Sequence, residues 1–184
     1  MVAADFFTIE AWTRKGLTRL LVLFLIDLSS RRVEIAGVAR EANGLRMSQV
    51  AWNLTDAAEG FLTGKRYLIH DRDPRFTAEF LEILEATGVQ SVKLPARSPN
   101  LNAHAERFVR TIKESCLERM ILFGEGSLRK AIHEFVVHYH HERNHQGLDN
   151  QLIIQEQLVA DSAAAIQRRS RLAGMLNYYY RQAA

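Results

Sequence analysis

One cysteine, three prolines and no apolar run longer than the seven residues from Leu20 to Ile26 set the first limits on this chain of 184 residues. A lone thiol, Cys116, cannot form an internal disulfide, which excludes the cross-linked scaffolds of small secreted domains and makes the cytoplasm the expected compartment. Seven apolar residues are too few to cross a bilayer, and no signal peptide precedes them. Internal repeats and long linkers are also missing, so the length reads as one domain with a sizeable core. Charge is scarce as a signal: the formal net value is +3 with a pI of about 9.2. The Arg clusters of the last third therefore allow a nucleic-acid partner without demanding one.

What is present is 47% hydrophobic content in a clear order. Residues 3–9 are apolar and β-prone, a turn at Thr13-Arg14-Lys15-Gly16 follows, and residues 20–26 read as a buried strand. Ser29-Ser30-Arg31-Arg32 turns the chain into a third strand, 33–39. Val50, Ala51, Leu54, Ala57, Ala58, Phe61 and Leu62 recur at helical spacing, predicting a helix over 48–63 capped by Gly64. Tyr67-Leu68-Ile69 predicts a short buried strand, Thr77 opens a helix ending near Thr87-Gly88, and 89–94 predicts another strand. The expected class is thus α/β, in the order βββαβαβ and then helices. Residues 95–102 hold Pro95 and Pro99 with Ser and Asn, so a mobile loop is expected before helices at 102–120 and 127–142. Residues 163–176 are helix-prone. The expected organisation is a core over 1–150 and a C-terminal helical, basic extension of the same domain over 151–184.

Three carboxylates stand out. Asp71 follows Tyr67-Leu68-Ile69-His70, where a strand stops and ligands of α/β sheets gather. Asp5 sits among apolar neighbours inside the first strand, a costly place for a charge unless it meets a cation or the strand end is open to water. Glu106 lies beside the apolar stripe Leu101, Ala105, Phe108, Ile112 and Cys116, sharing a face with Arg110 and Lys113. Taken alone, Glu106 with Arg110 is an ordinary helix ion pair. Brought together, three acids from three elements repel one another, and the simplest reason to gather them is a divalent cation. Oxygen-only ligation suits Mg²⁺ or Mn²⁺.

The motifs Asp5-Phe6-Phe7-Thr8, His70-Asp71-Arg72 and Ser98-Pro99-Asn100-Leu101-Asn102-Ala103-His104-Ala105-Glu106-Arg107, in this order, resemble the catalytic core of retroviral-type integrases and bacterial insertion-sequence transposases. His138-Tyr139-His140-His141-Glu142-Arg143-Asn144-His145-Gln146-Gly147-Leu148 is similar to the stretch that follows that core in the transposases, so the resemblance covers roughly 3–150. It implies an RNase H-like fold with a mixed five-stranded sheet, and Asp5, Asp71 and Glu106 as a DDE triad holding two Mg²⁺ or Mn²⁺ ions. It also implies contacts to the DNA end at Arg110 and Lys113, with Arg107 and Arg72 beside the last two acids. The implied activity is cleavage and strand transfer on double-stranded DNA by a homo-oligomer, in a bacterial cytoplasm near the nucleoid. Two departures are visible: the interval between the last two acids is one residue shorter than is common, and Asp73 stands where many relatives have Gly, making it a rival for Asp71.

Two other readings stay open: an RNase H-like nuclease that only hydrolyses, or a decayed core that binds DNA or oligomerises. Since Asp5 lies so near the start, an N-terminal helix-turn-helix is expected either to have been removed or to come from another polypeptide. His138, His140, His141 and His145 diverge in direction along one helix, which speaks against zinc. Asp27 directly precedes a Ser-Ser turn, a common structural place for Asp. Cys116, on the helical stripe, reads as packing. Arg168-Arg169-Ser170-Arg171 with Tyr178 to Tyr180 could either bind DNA or dock, as a basic helix with an aromatic end, on the core or a second subunit.

Overall fold

The apolar alternation along the first dozen residues makes a strand with two packed faces. In a computed structural model, which describes residues 1–95, 102–155 and 164–181, β1 (Val2–Thr13) pairs antiparallel with β2 (Gly16–Asp27) along its length, Asp5 opposite Phe24. β2 pairs antiparallel with β3 (Val33–Ala39). On the other side of β1, β4 (Tyr67–His70) and then β5 (Gln90–Lys93) join in parallel, giving the order β3-β2-β1-β4-β5. This is the mixed five-stranded sheet that the resemblance implies.

Parity divides the core. Val2 and Ala4 of β1 with Leu23 and Leu25 of β2 pack against α1 (Gly44–Leu54) and α2 (Ala78–Ala86). Ala3, Phe7 and Ala11, with Leu20, Val22, Phe24 and Ile26, face α3 (Ala103–Ser115) and α4 (Gly124–His141). On that second side Phe24 meets Phe108 with ring centroids 4.9 Å apart, and Phe108 meets Tyr139 edge-on at 5.3 Å. Such pairs each add about 0.5–1.5 kcal/mol beyond area burial, so α3 is held firmly to the sheet. With helices on both faces, β2 is buried from Leu20 to Asp27.

Two predicted elements differ. The helix expected over 48–63 starts earlier, at Gly44 behind the Asn43 cap, and stops at Leu54. The Asp56 carboxylate accepts the backbone N–H groups of Ala58 and Glu59 at 2.9 and 3.0 Å, starting a turn that competes with helix. Gly60 completes it: a Cβ there would lie 2.5 Å from the Asp56 carbonyl oxygen. Phe61 and Leu62 thus return to the sheet by a turn, although their spacing is helical.

The extension predicted as helical is a hairpin of β6 (Ile166–Arg171) and β7 (Leu176–Arg181). Leu172, Ala173 and Gly174 take φ of 49°, 54° and 91°, a left-handed reversal no helix would pass through. On one face of the ribbon Tyr178 stacks on Tyr180 at 5.6 Å, Arg169 lies over Tyr180 at 5.1 Å, and Leu176 enters the α3/α4 side of the core. Arg171 of that same face pairs with Glu142 at 2.7 Å and Glu134 at 2.9 Å. Tertiary partners override the local helix preference of 163–176. The helix expected over 102–120 ends at Ser115, and a single 3₁₀ turn follows over Leu117–Arg119.

His140 joins α4 to the sheet by accepting the Val33 N–H on Nε2 at 2.9 Å. Burial, with Arg32 and two neighbouring histidines, lowers its pKa to about 4. The folded value lies below the unfolded one near 6.5, so the stabilisation is complete above pH 6.5 and is lost as pH falls toward 4. The loss is expected to be on the order of 2 kcal/mol. Urea midpoints at pH 7 and pH 4.5 measure it, and His140→Gln should flatten that slope; an unchanged slope would mean His140 is not the group titrating.

Candidate active site

Asp5 follows the parity of Ala3 and Phe7, so its side chain leaves β1 on the α3 side. One step beyond the last parallel pair of β1 and β4, Ala4 with His70, come Asp5 and Asp71, side by side at neighbouring strands. Asp5 Oδ1 accepts the Phe6 N–H at 2.7 Å, and Oδ2 accepts from Asn102 Nδ2 at 3.3 Å. Burial pushes the Asp5 carboxyl up to about 6; the Phe6 N–H opposes that, and the charges of Asp71, Glu106 and Asp73 add to it.

Asp71 is exposed, just past β4, and its Oδ1 accepts the Asp73 N–H at 3.0 Å. The strand end beneath it is fixed by buried His70. There Nδ1–H donates to the Asp71 carbonyl at 2.6 Å, which leaves Nε2 to accept from the Ser91 hydroxyl at 2.7 Å on β5. Burial lowers the His70 pKa and keeps the ring neutral. Arg72 Nε donates to the Leu94 carbonyl at 3.1 Å. Asp73 differs from Asp71: Arg75 holds it in an ion pair at 2.5 Å while lying over the Phe6 ring at 5.7 Å. Among the described residues Asp71 has no such cation. The pairing of Asp73 with Arg75, a residue outside the motif, is a difference the sequence does not disclose.

Glu106 and Arg110 are exposed and Lys113 half-buried, while Ala105, Phe108 and Ile112 of the same helix are buried. The local Glu106–Arg110 ion pair does not form: among the described residues no ion pair involves Glu106, Arg107, Arg110 or Lys113.

Asn102 is the residue whose part at the site sequence reasoning missed. Asn at the start of a helix normally caps it. Here it makes no cap and turns its amide to Asp5, leaving Oδ1 buried without a partner among the described residues. Such an orphan costs about 1–3 kcal/mol, and it places an unused oxygen beside the Asp5 carboxylate. In kind, this oxygen-only set fits a hard cation. In position it is open: among the described residues no group of three or more His, Cys, Asp or Glu side chains is drawn tightly enough to hold a metal ion. The rest of the motif before Asn102, and the loop expected to be mobile, lie outside the described residues except at their margins.

The remaining polar signals have other work. His138 bonds Glu142 at 3.0 Å, His140 serves Val33, and His145 Nε2 donates to the Tyr139 carbonyl at 2.8 Å. Asp27 is buried, ion-paired with Lys65 and bonded to the Ser29 hydroxyl at 2.7 Å, a turn anchor. Burial pushes the Cys116 thiol up to about 11, so it packs and does not attack. No helix among the described residues is long and apolar enough to cross a membrane.

A family model described as an integrase core domain matches residues 87–151, from the end of α2 past the end of α4. In three dimensions the chain is similar to the HTLV-2 integrase catalytic core domain in complex with magnesium. The trimeric form matches at TM-score 0.58 and 11% identity over 83% of this chain and 91% of that one. The dimeric form matches at TM-score 0.56 and 13% identity, over 76% and 84%. A simian T-cell lymphotropic virus intasome in complex with PP2A regulatory subunit B56 gamma matches at TM-score 0.56 and 12% identity, covering 99% of this chain and 66% of that one. No curated protein matches the sequence. The chain has the RNase H-like fold of an integrase core.

Proposed function

We propose that this integrase-type core cleaves and joins DNA strands, as a DDE-type transposase or integrase does, with Asp5, Asp71 and Glu106 as its metal ligands. The observation that carries the reading is Asp5 beside the strand end of Asp71, one step past the Ala4–His70 pair, with its carboxyl pushed up first by burial and then by the charges of Asp71, Glu106 and Asp73. Repulsion among carboxylates is a cost that a divalent cation would offset. The kind of cation is that bound by the HTLV-2 core, magnesium, or manganese in its place.

Bound at these carboxylates, two such ions would supply an activated nucleophile and stabilisation of the leaving oxygen in an in-line displacement. The chain's own groups do the rest. His70, locked between the Asp71 carbonyl and Ser91, holds the strand end that presents Asp71. Asn102 orients Asp5. On this reading Arg110 and Lys113, which share the Glu106 face and have no carboxylate partner among the described residues, meet phosphates of a DNA end, with Arg72 and Arg107 next in sequence to the two acids. Water as nucleophile would nick a duplex, and a DNA 3′-OH would join strands. No covalent protein–DNA intermediate is needed, so the terminal tyrosines have no catalytic part. Joining two ends calls for two active sites, and therefore for self-association in the presence of DNA.

Calorimetric titration of Mn²⁺ into the wild type, Asp71→Asn and Asp73→Asn tests the site. Binding lost with Asp71→Asn and retained with Asp73→Asn supports the triad, and the reverse moves it to Asp73. A pre-nicked duplex separates joining from hydrolysis alone: longer products mark strand transfer. For the DNA face, Lys113→Ala should weaken duplex binding and lower the slope of log K against log salt by about one. An unchanged slope, read by fluorescence anisotropy, would mean that this face of α3 points away from DNA.

A further inference from the structure

Arg107 follows Glu106 by one residue, and on a helix one residue is about 100° of rotation. With His104 and Thr111, three and four residues away, it lines a flank of α3 that Arg110 and Lys113 do not line. There a cavity of about 320 Å³ opens among α3, the end of α4, the residues after it and the β2–β3 turn. Arg107, Arg31 and Arg143 line it from three separate segments, together with Asn144 and Thr111, and none of the described residues lining it is acidic.

Three guanidinium groups cannot be neutralised by proton loss, so their convergence is costly unless an anion joins them. Among the described residues none of the three has a carboxylate partner. Arg31 is also preset. Its backbone sits at φ 63°, an unusual conformation for a residue with a side chain, and its N–H donates to the Asp27 carbonyl at 2.8 Å. Its guanidinium donates to the Leu28 carbonyl, which aims the group. The same cations act on two neighbouring groups: burial raises the Tyr139 pKa against the opposing charges of Arg143, Arg31 and Arg107, and burial together with Arg31 and Arg107 lowers that of His104.

We propose that Arg31, Arg107 and Arg143 form an anion site that takes a phosphate group, separate from the carboxylate site. Planar guanidinium forks match phosphate oxygens in pairs, and the cavity has room for one phosphate with its ester substituents. Two sources carry that chemistry, a DNA backbone phosphodiester and a free phosphate. On the proposed function the site receives a phosphodiester of DNA that runs past α3 on the flank away from Arg110 and Lys113.

The test uses the full chain without divalent metal, in chelator, so that it stands apart from the catalytic reading. Anisotropy of a labelled duplex against salt is compared for wild type, Arg143→Gln and Arg31→Gln, and melting is followed with added inorganic phosphate. A salt slope lower by about one in each variant assigns the site to DNA. An unchanged slope with a phosphate-dependent rise in Tm that the variants lose assigns it to a free phosphate. Neither effect in folded variants overturns the proposal. Arg31→Gln removes a turn contact; if that variant melts without cooperativity, Arg143→Gln decides alone. A chain that keeps this slope effect but never nicks DNA with Mn²⁺ would retain the anion site and lose the catalytic reading.

Discussion

Asp71→Asn is expected to reduce Mn²⁺-dependent nicking of a DNA duplex by at least about a thousandfold, equivalent to about 4 kcal/mol of transition-state stabilisation. The proposed reaction rests on metal-held oxygens, and an amide in place of a carboxylate removes both a charge and a ligand. The fold should not suffer, because Asp71 is exposed and the carbonyl that anchors His70 is backbone. Circular dichroism and Tm should therefore stay near the wild-type values while nicking disappears. Asp73→Asn is the informative companion. Arg75 already compensates Asp73, so losing that carboxylate should change nicking by no more than about tenfold, about 1.4 kcal/mol. Loss with Asp73→Asn and survival with Asp71→Asn would exchange the two roles.

The second large effect is structural. Glu142 ends α4 with a side chain only 1% exposed, held by Arg171 at 2.7 Å, Arg169 at 3.4 Å and His138 at 3.0 Å. Arg171 in turn reaches Glu134, so one buried carboxylate fastens the β6–β7 hairpin to α4. Removing one partner of a buried pair leaves the other charge uncompensated, and Glu142→Gln should cost about 3–5 kcal/mol. Denaturant unfolding gives the magnitude, and limited proteolysis shows whether cleavage within 164–181 appears first. If the midpoint moves by less than about 1 kcal/mol, the hairpin is held by Leu176 and the tyrosines instead. The pH dependence has a definite sign. Despite the cost of burial, Arg171 and His138 lower the Glu142 pKa to about 2, below its unfolded value. Its stabilisation is present above about pH 4.5 and is lost as pH falls toward 2.

These two residues differ in how far the amino-acid order discloses their positions in the fold. Asp71 is legible because its position is local: a short apolar strand, a His that stays with the sheet, then an acid at the strand's end. Asp5 and Glu106 are legible through a combination of parity, helical stripe and motif order. Glu142 is only one letter in a polar stretch, since nothing nearby in sequence says that Arg171 will be its partner.

Apolar period and turn residues by themselves determined β1 to β5, the caps of α2, and the α/β order, because strand alternation and helical stripes are properties of neighbouring residues. They also placed three acids where one sheet could gather them. Tertiary structure alone decided the rest. It stopped α1 at Leu54, where Asp56 and Gly60 prefer a turn, and made a ribbon of 166–181, where Arg–Glu pairs with α4 outweigh helix propensity. It also gave Asp73 an arginine and brought Arg31, Arg107 and Arg143 to one cavity. Contacts between residues far apart in the chain depend on the packing of whole elements, and no local pattern encodes them.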